Sequence, residues 1–282
     1  LVLGVGVLAV SVSAILIRFA QNEAVPSLVI AAWRLAFAAA ILLPMALLRR
    51  REELRALTPA QWGAAALSGL MLAAHFATWI SSLNHTSIVS STVLVTTSPL
   101  WVALAAPFVL KERVGWWARL GIGLALAGSV VVALNERGGE TQSLLGNGLA
   151  LLGGVTAAAY LLIGRKLRTS LSLLGYITIV YGIAALVLLV VAGLRHPLHG
   201  YSGISYALFL LMALFPQLLG HSSFNWALGW LPAAYVTVTI ISEPIGASLL
   251  AILIFGEWPT ALTVAGGVLI LAGIVVAGRD QG

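Results

Sequence analysis

The chain has 282 residues, of which 60% are hydrophobic and only 9% charged, and its mean hydropathy is +1.04. A water-soluble protein carries about 25% charged residues, so this composition excludes a soluble globular domain and makes lipid the solvent. The net charge of +6 does not mark a nucleic-acid binder, because the basic residues gather in short loops, and the lack of cysteine excludes disulfide and thiol chemistry.

In chain order, ten apolar runs predict helices at 1–20, 26–47, 60–82, 87–109, 115–134, 146–164, 170–193, 204–228, 232–254 and 260–278. Each holds about 20 residues, which at ~1.5 Å per residue suits a hydrocarbon core of ~30 Å. Turn chemistry separates them, at Asn22–Pro26, Thr58-Pro59, Asn84–Thr86, Gly138-Gly139, His196-Pro197, Trp230–Pro232 and Trp258-Pro259. The first run has no basic stretch before it and reads as a retained helix, not a signal peptide. Its end, Ile17-Arg18, echoes Arg165-Lys166 at the end of the sixth. The connections are too short to hold a soluble domain.

Orientation follows from the distribution of Lys and Arg. One side carries Arg49, Arg50, Arg51, Arg55, Lys111, Arg113, Arg119, Arg165, Lys166, Arg168 and Arg279, eleven in all. The other carries only Arg18, Arg137 and Arg195. Both termini are therefore expected in the cytoplasm. Arg34 is the remaining basic residue, and it falls inside the second span.

The chain also repeats itself. Pro99, Glu112, Gly121 and Gly128 recur as Pro244, Glu257, Gly266 and Gly273, each 145 residues later, and 11 of the 35 positions in 99–133 are identical at that offset. Five helices separate the copies, and five is odd, so the second copy must be inverted in the membrane. The expected fold is an all-α membrane protein of ten transmembrane helices in two inverted five-helix repeats, 1–137 and 144–282. Glu112 and Glu257 each precede a helix, where an acid suits the N-terminal dipole, and Pro259 would open the last helix. The glycines, spaced by seven, would let helices approach closely.

Nothing points to a catalytic or metal centre. The lone Asp is Asp280, the five His form no tight ligand spacing, and no GxSxG is present. No cofactor is expected. The informative groups are polar residues inside apolar spans, since a charge at mid-bilayer costs ~2.5–3.5 kcal/mol or more without a partner or a wet cavity. Glu243 in the ninth span and Arg34 in the second reach similar depths. They could pair with each other, or Glu243 could face a cavity. Ser90, Thr97, Ser98 and Trp101 share one arc of the fourth span, and Tyr235, Ser242, Glu243 and Gly246 are their repeat mates. Ser98 thus corresponds to Glu243, and Trp101 to Gly246. His75 and Trp79 lie one turn apart in the third span, His75 is one place from being the mate of His221, and Tyr160 lies within the sixth. Trp62, Trp116, Trp117, Trp230 and Trp258 suit an interfacial belt; Trp101 and Tyr160 do not. Pro99 and Pro244 are candidate hinges.

The doubled Thr97-Ser98-Pro99 and Ser242-Glu243-Pro244 steps, the Glu112 and Glu257 turns, and the Gly-rich spans that follow resemble the EamA branch of the drug/metabolite transporter superfamily. The resemblance covers essentially the whole chain, and within the branch it is to the YddG-type amino acid exporters. It implies a basket whose third, fourth, eighth and ninth spans surround a pathway, with the first and sixth, and second and seventh, moving. It also implies export of amino acids and related metabolites, aromatic and other apolar ones among them, across the bacterial inner membrane. The expected substrate-binding set is His75, Trp79, Ser98, Trp101, Tyr160 and Glu243. The expected partners are a small-molecule cargo and the bilayer, with the chain a monomer and not an enzyme. The alternative cargo is a drug or cationic metabolite, with Glu243 as counter-charge. A non-transporting scaffold or a channel is the reading from a different class.

Overall fold

The structure is a computed structural model that describes residues 1–109, 115–135, 144–231, 233–240 and 242–279. The regular structure among them is helical throughout: α1 (Val2–Ser11), α2 (Ser13–Asn22), α3 (Ser27–Arg49), α4 (Arg51–Arg55), α5 (Pro59–Ser82), α6 (Ile88–Val95), α7 (Ser98–Val109), α8 (Trp116–Asn135), α9 (Leu144–Arg168), α10 (Leu173–Gly193), α11 (Gly203–Met212), α12 (Ser222–Ala227), α13 (Ala233–Ile240), α14 (Glu243–Phe255) and α15 (Ala261–Gly278). A π-helical segment, Ala213–His221, joins α11 to α12.

Among the described residues, seven helical runs are long and apolar enough to cross a membrane: Val2–Asn22, Ser27–Arg49, Pro59–Ser82, Ile88–Ala105, Leu144–Arg168, Leu173–Gly193 and Gly203–Ala227. Two shorter apolar helices, Glu243–Phe255 and Ala261–Gly273, follow. The remaining expected runs coincide with α8, with α13 and α14, and with α15. Hydroxyl caps start several helices. Thr58 and Gln61 form a capping box on α5, and Ser87, Ser172, Ser202 and Thr260 each accept a hydrogen bond from a first-turn N–H.

Four of the expected spans are interrupted. The fourth breaks at Thr96-Thr97, just before Pro99, and the ninth just before Glu243-Pro244. The first changes helix at Val12, and the eighth widens into the π-helix around Pro216. Proline lacks an N–H and expels the preceding turn from helical geometry, which accounts for three of the four.

The helix pairings run across the two halves of the sequence. The most extensive are α8 with α15, α5 with α9, and α3 with α10. A Cβ on Gly128 would lie 2.5 Å from the Gly266 carbonyl oxygen, and one on Gly273 would lie 2.5 Å from that of Gly121. The lower-numbered glycine of each helix thus meets the higher-numbered glycine of the other, so α8 and α15 cross antiparallel. The helix ends follow the same reciprocity. Arg18 donates to the Leu83 carbonyl at the end of α5 (3.0 Å), and Arg165 donates to the Leu228 carbonyl after α12 (2.6 Å). Leu83 and Leu228 are 145 residues apart.

Two expectations change. The last helix begins at Ala261 with Thr260 as its cap, so Pro259 precedes the helix instead of opening it. Glu257 does not serve the helix that follows it either. Left-handed Gly256 (φ 66°) ends α14 and turns Glu257 toward Arg18 (2.7 Å) and the Ile88 N–H of α6 (3.0 Å). The carboxylate therefore sits at the N-terminus of a neighbouring span. Lys111, Glu112, Arg113, Arg137, Asp280 and the Tyr235 side chain lie outside what is described.

The glycine contact gives a direct test. Gly273→Ala should lower the melting temperature of the detergent-solubilised protein by the equivalent of about 1–3 kcal/mol, because neither backbone can yield cheaply. Gly123→Ala, where a Cβ meets nothing within 4 Å, should leave it near the wild-type value.

Candidate functional site

A small cavity lies where the interrupted helices meet. Its wall takes Val10 from α1, His75 and Trp79 from α5, and Val95, Thr96 and Ser98 from the α6–α7 break. Ala157, Tyr160 and Leu161 come from α9, His221 and Phe224 from the π-helix and α12, and Ile240 and Glu243 from the α13–α14 break. Three pairs of lining positions are 145 residues apart: Trp79 with Phe224, Val95 with Ile240, and Ser98 with Glu243.

His75, Trp79, Ser98, Tyr160 and Glu243, five of the six expected binding residues, are brought together here. Trp101 is not. Its indole donates to the Thr97 hydroxyl (3.1 Å) and packs against the surrounding core. Its repeat mate Gly246 is filled by Ser11, whose Oγ lies 2.5 Å from where a Cβ would stand. The expected polar stripe through the fourth span also dissolves. Thr96 and Thr97 bond back to the carbonyls of Thr92 (2.9 Å) and Leu94 (2.8 Å), and only Thr96 and Ser98 reach the cavity.

An imidazole and aromatic cluster forms one side. His75 stacks on Trp79 with ring centroids 5.8 Å apart, and lies 6.0 Å from His221. His221 also faces Tyr160 (6.5 Å), Phe76 (5.2 Å) and Phe224 (6.3 Å). His75 Nδ1 meets the Gly153 carbonyl at 2.9 Å. A carbonyl only accepts, so Nδ1 donates the proton of this bond. That contact depends on Gly153 and Gly154, where a side chain would collide with Trp79, Val95 and Thr97.

Asn225 holds the far end of the cluster. Its amide nitrogen donates to the Tyr160 hydroxyl, to the Tyr181 hydroxyl (3.3 Å) and to the His221 carbonyl (2.8 Å). The sequence reading took no account of Asn225 or Phe224 as site residues and noted His221 only as a near mate of His75. The repeat offset was the available signal, since it carries Trp79 onto Phe224.

Glu243 is the first residue of α14 and is buried, with 7% of its surface exposed. The N-terminal dipole favours a carboxylate there. Of the two arrangements open to it, the structure has the cavity-facing one. No ion pair or hydrogen bond holds it among the described residues, and Arg34 is engaged elsewhere, with Gln217 and Ser13. The indole N–H of Trp79, another wall residue, is buried without a partner among the described residues. Carboxylate, hydroxyl, indole and imidazole side chains thus line one cavity with apolar walls, the composition of a small-molecule site. No group of three or more His, Asp or Glu suited to a metal occurs among the described residues.

The EamA-like transporter family model matches residues 1–134 and 144–279. The chain belongs to the EamA-like transporter family. It is a multi-pass membrane transporter, and the family's work defines its partners broadly, as a small-molecule cargo and the bilayer. An uncharacterized transporter of Clostridium kluyveri is 27% identical to this EamA protein over 84% of the chain and 79% of the relative. A probable terminal-alkyne amino-acid exporter of Streptantibioticus cattleyicolor is 24% identical over 69% of the chain and 65% of the relative. A protein crystal structure of 18% identity shares the fold with a TM-score of 0.70, over 98% of this chain and 95% of its own.

Asn225→Leu removes the donor shared by Tyr160, Tyr181 and the His221 carbonyl. It should destabilise the protein by about 1–3 kcal/mol in thermal melts, the cost of stranding buried polar groups.

Proposed function

We propose that this EamA transporter exports amino acids, aromatic and other apolar ones among them, from the bacterial cytoplasm across the inner membrane by alternating access. In this reading ten spans form two inverted five-helix halves, 1–137 and 144–282, with both termini cytoplasmic and one chain sufficient. The antiparallel α8–α15 contact and the reciprocal Arg18–Leu83 and Arg165–Leu228 bonds support the inversion. The interruptions before Pro99 and Pro244 act as hinges between inward and outward states.

The observation that carries the reading is the Glu243 carboxylate, which forms no ion pair among the described residues and lines a cavity walled by rings. An ammonium group bound there gains a charge-assisted bond to Glu243 and cation–π contact with ring faces. Val95, Leu161, Phe224 and Ile240 receive an apolar side chain, and Ser98 and Trp79 offer hydrogen bonds. The amino-acid exporter among the relatives supports this cargo. The same free carboxylate favours a second reading, a drug or cationic-metabolite exporter, in which the cargo carries no carboxylate.

Counterflow in proteoliposomes separates the two, and also a channel, which shows no trans-acceleration, and a scaffold, which shows no flux. Amino acids are expected to accelerate exchange, and organic cations to do so only under the second reading. Glu243→Gln and His75→Ala should each lower exchange by about tenfold or more, the worth of one charge-assisted contact. Normal exchange by both variants would remove the site assignment.

A further inference from the structure

Arg34 is wholly buried in α3, and no carboxylate lies within 4.0 Å of it among the described residues. Its Nε donates to Gln217 Oε1 (2.9 Å), one Nη donates to the Ser13 hydroxyl (2.8 Å), and the guanidinium lies 4.1 Å from the Phe76 ring centroid. All of these partners are neutral. The second nitrogen, Nη2, has no partner among the described residues. Gln217 is also wholly buried, and no acceptor among the described residues lies within hydrogen-bonding distance of its Nε2. Two orphan donors therefore flank a single hydrogen bond, one on each of its residues. The Tyr181 phenol is close to both residues and interacts with the Gln217 side chain, while its hydroxyl is also shared with Ser222 (3.3 Å) and Asn225 (3.3 Å).

A buried cation whose direct partners are all neutral, with the Glu243 carboxylate near enough to act on it but not in contact, lacks a charged acceptor at its Nη2. A carboxylate has the needed form, because its two oxygens accept side by side from a guanidinium and an amide. Gln217 owes its position to the π-helical segment, whose extra residue per turn re-aims the side chains around Pro216. The pair sits directly behind the cavity wall. Phe76, which lies over Arg34, is itself 5.2 Å from His221 and 4.7 Å from His75 by ring centroids.

We infer that Arg34 and Gln217 form a carboxylate-binding site behind the Phe76–His221 wall, which takes the acid end of the cargo while Glu243 takes the ammonium. The inference rests on the amino-acid reading for the identity of the cargo, but not for the existence of the site. It divides recognition of a zwitterion between two buried charges that do not touch each other. Entry of the carboxylate requires Phe76 or His221 to move aside, so binding of the acid end is coupled to rearrangement of the wall.

The test uses the full chain in detergent, with sodium phenylacetate as probe and sodium chloride at equal ionic strength as control. Phenylacetate should raise the wild-type melting temperature by about 2 °C or more above chloride. Gln217→Glu supplies Arg34 with a built-in carboxylate, so it should fold and lose that increment. Arg34→Lys, which keeps the charge without the fork, should lose it as well. In counterflow, Gln217→Glu should shift the preference between phenylalanine and phenylethylamine toward the amine by about tenfold or more. Equal stabilisation by chloride and phenylacetate would overturn the assignment, as would an undiminished increment in Gln217→Glu. If the wild type exchanges no amino acid, the cargo reading fails, and the phenylacetate measurement still decides the site because it needs no transport.

Discussion

Hydrocarbon offers an interrupted helix nothing to bond with, and the centre of this protein is arranged around that constraint. At the α6–α7 break, hydroxyls replace water. Thr92, Thr96 and Thr97 bond back to carbonyls of the preceding turn, at 2.7, 2.9 and 2.8 Å. The residues that restart the helices, Ser98 and Glu243, are then placed at the cavity. A break that would be costly against lipid becomes tolerable where it lines an internal space. The cavity and the discontinuities therefore require each other.

Glycine contacts set how closely the remaining elements approach. Gly6 and Gly220 bring α1 against the π-helix, Gly153 and Gly154 bring α9 against the α6–α7 break, and Gly121, Gly128, Gly266 and Gly273 join α8 to α15. Without a hydrophobic drive between helices, this close packing supplies the attraction. Polar ties then secure the ends. Arg18 and Glu257 gather α2, α5, α6 and the turn after α14 at one end. At the Arg-rich end, Glu53 accepts the Ser172 N–H (2.7 Å) and Arg168 donates to the Asn225 carbonyl (3.0 Å).

Much of this was legible in the residues. Apolar length located the helices, and Pro99 and Pro244 marked both breaks. Depth in the membrane singled out Glu243, Tyr160 and the His75-Trp79 pair. Trp101 was misplaced for a specific reason. Its arc with Ser90 and Thr97 assumed one continuous helix turning about 100° per residue, and the break at Thr96-Thr97 resets the azimuth between them. Arg34 showed only its depth. Its true partner, Gln217, lies 183 residues away on a π-helical segment whose side-chain directions no 3.6-residue period predicts. The belt tryptophans, in contrast, needed only proximity to a span end, and Trp62, Trp116, Trp117, Trp230 and Trp258 are all exposed.

The glycine contact between α8 and α15 has a further property. Gly128 touches Gly266 and Gly121 touches Gly273, so exchanging the two helices maps the contact onto itself. An interface of this kind is isologous, as at the two-fold axis of a homodimer. Its binding face is self-complementary, and either half presents the same patch to an antiparallel copy of itself.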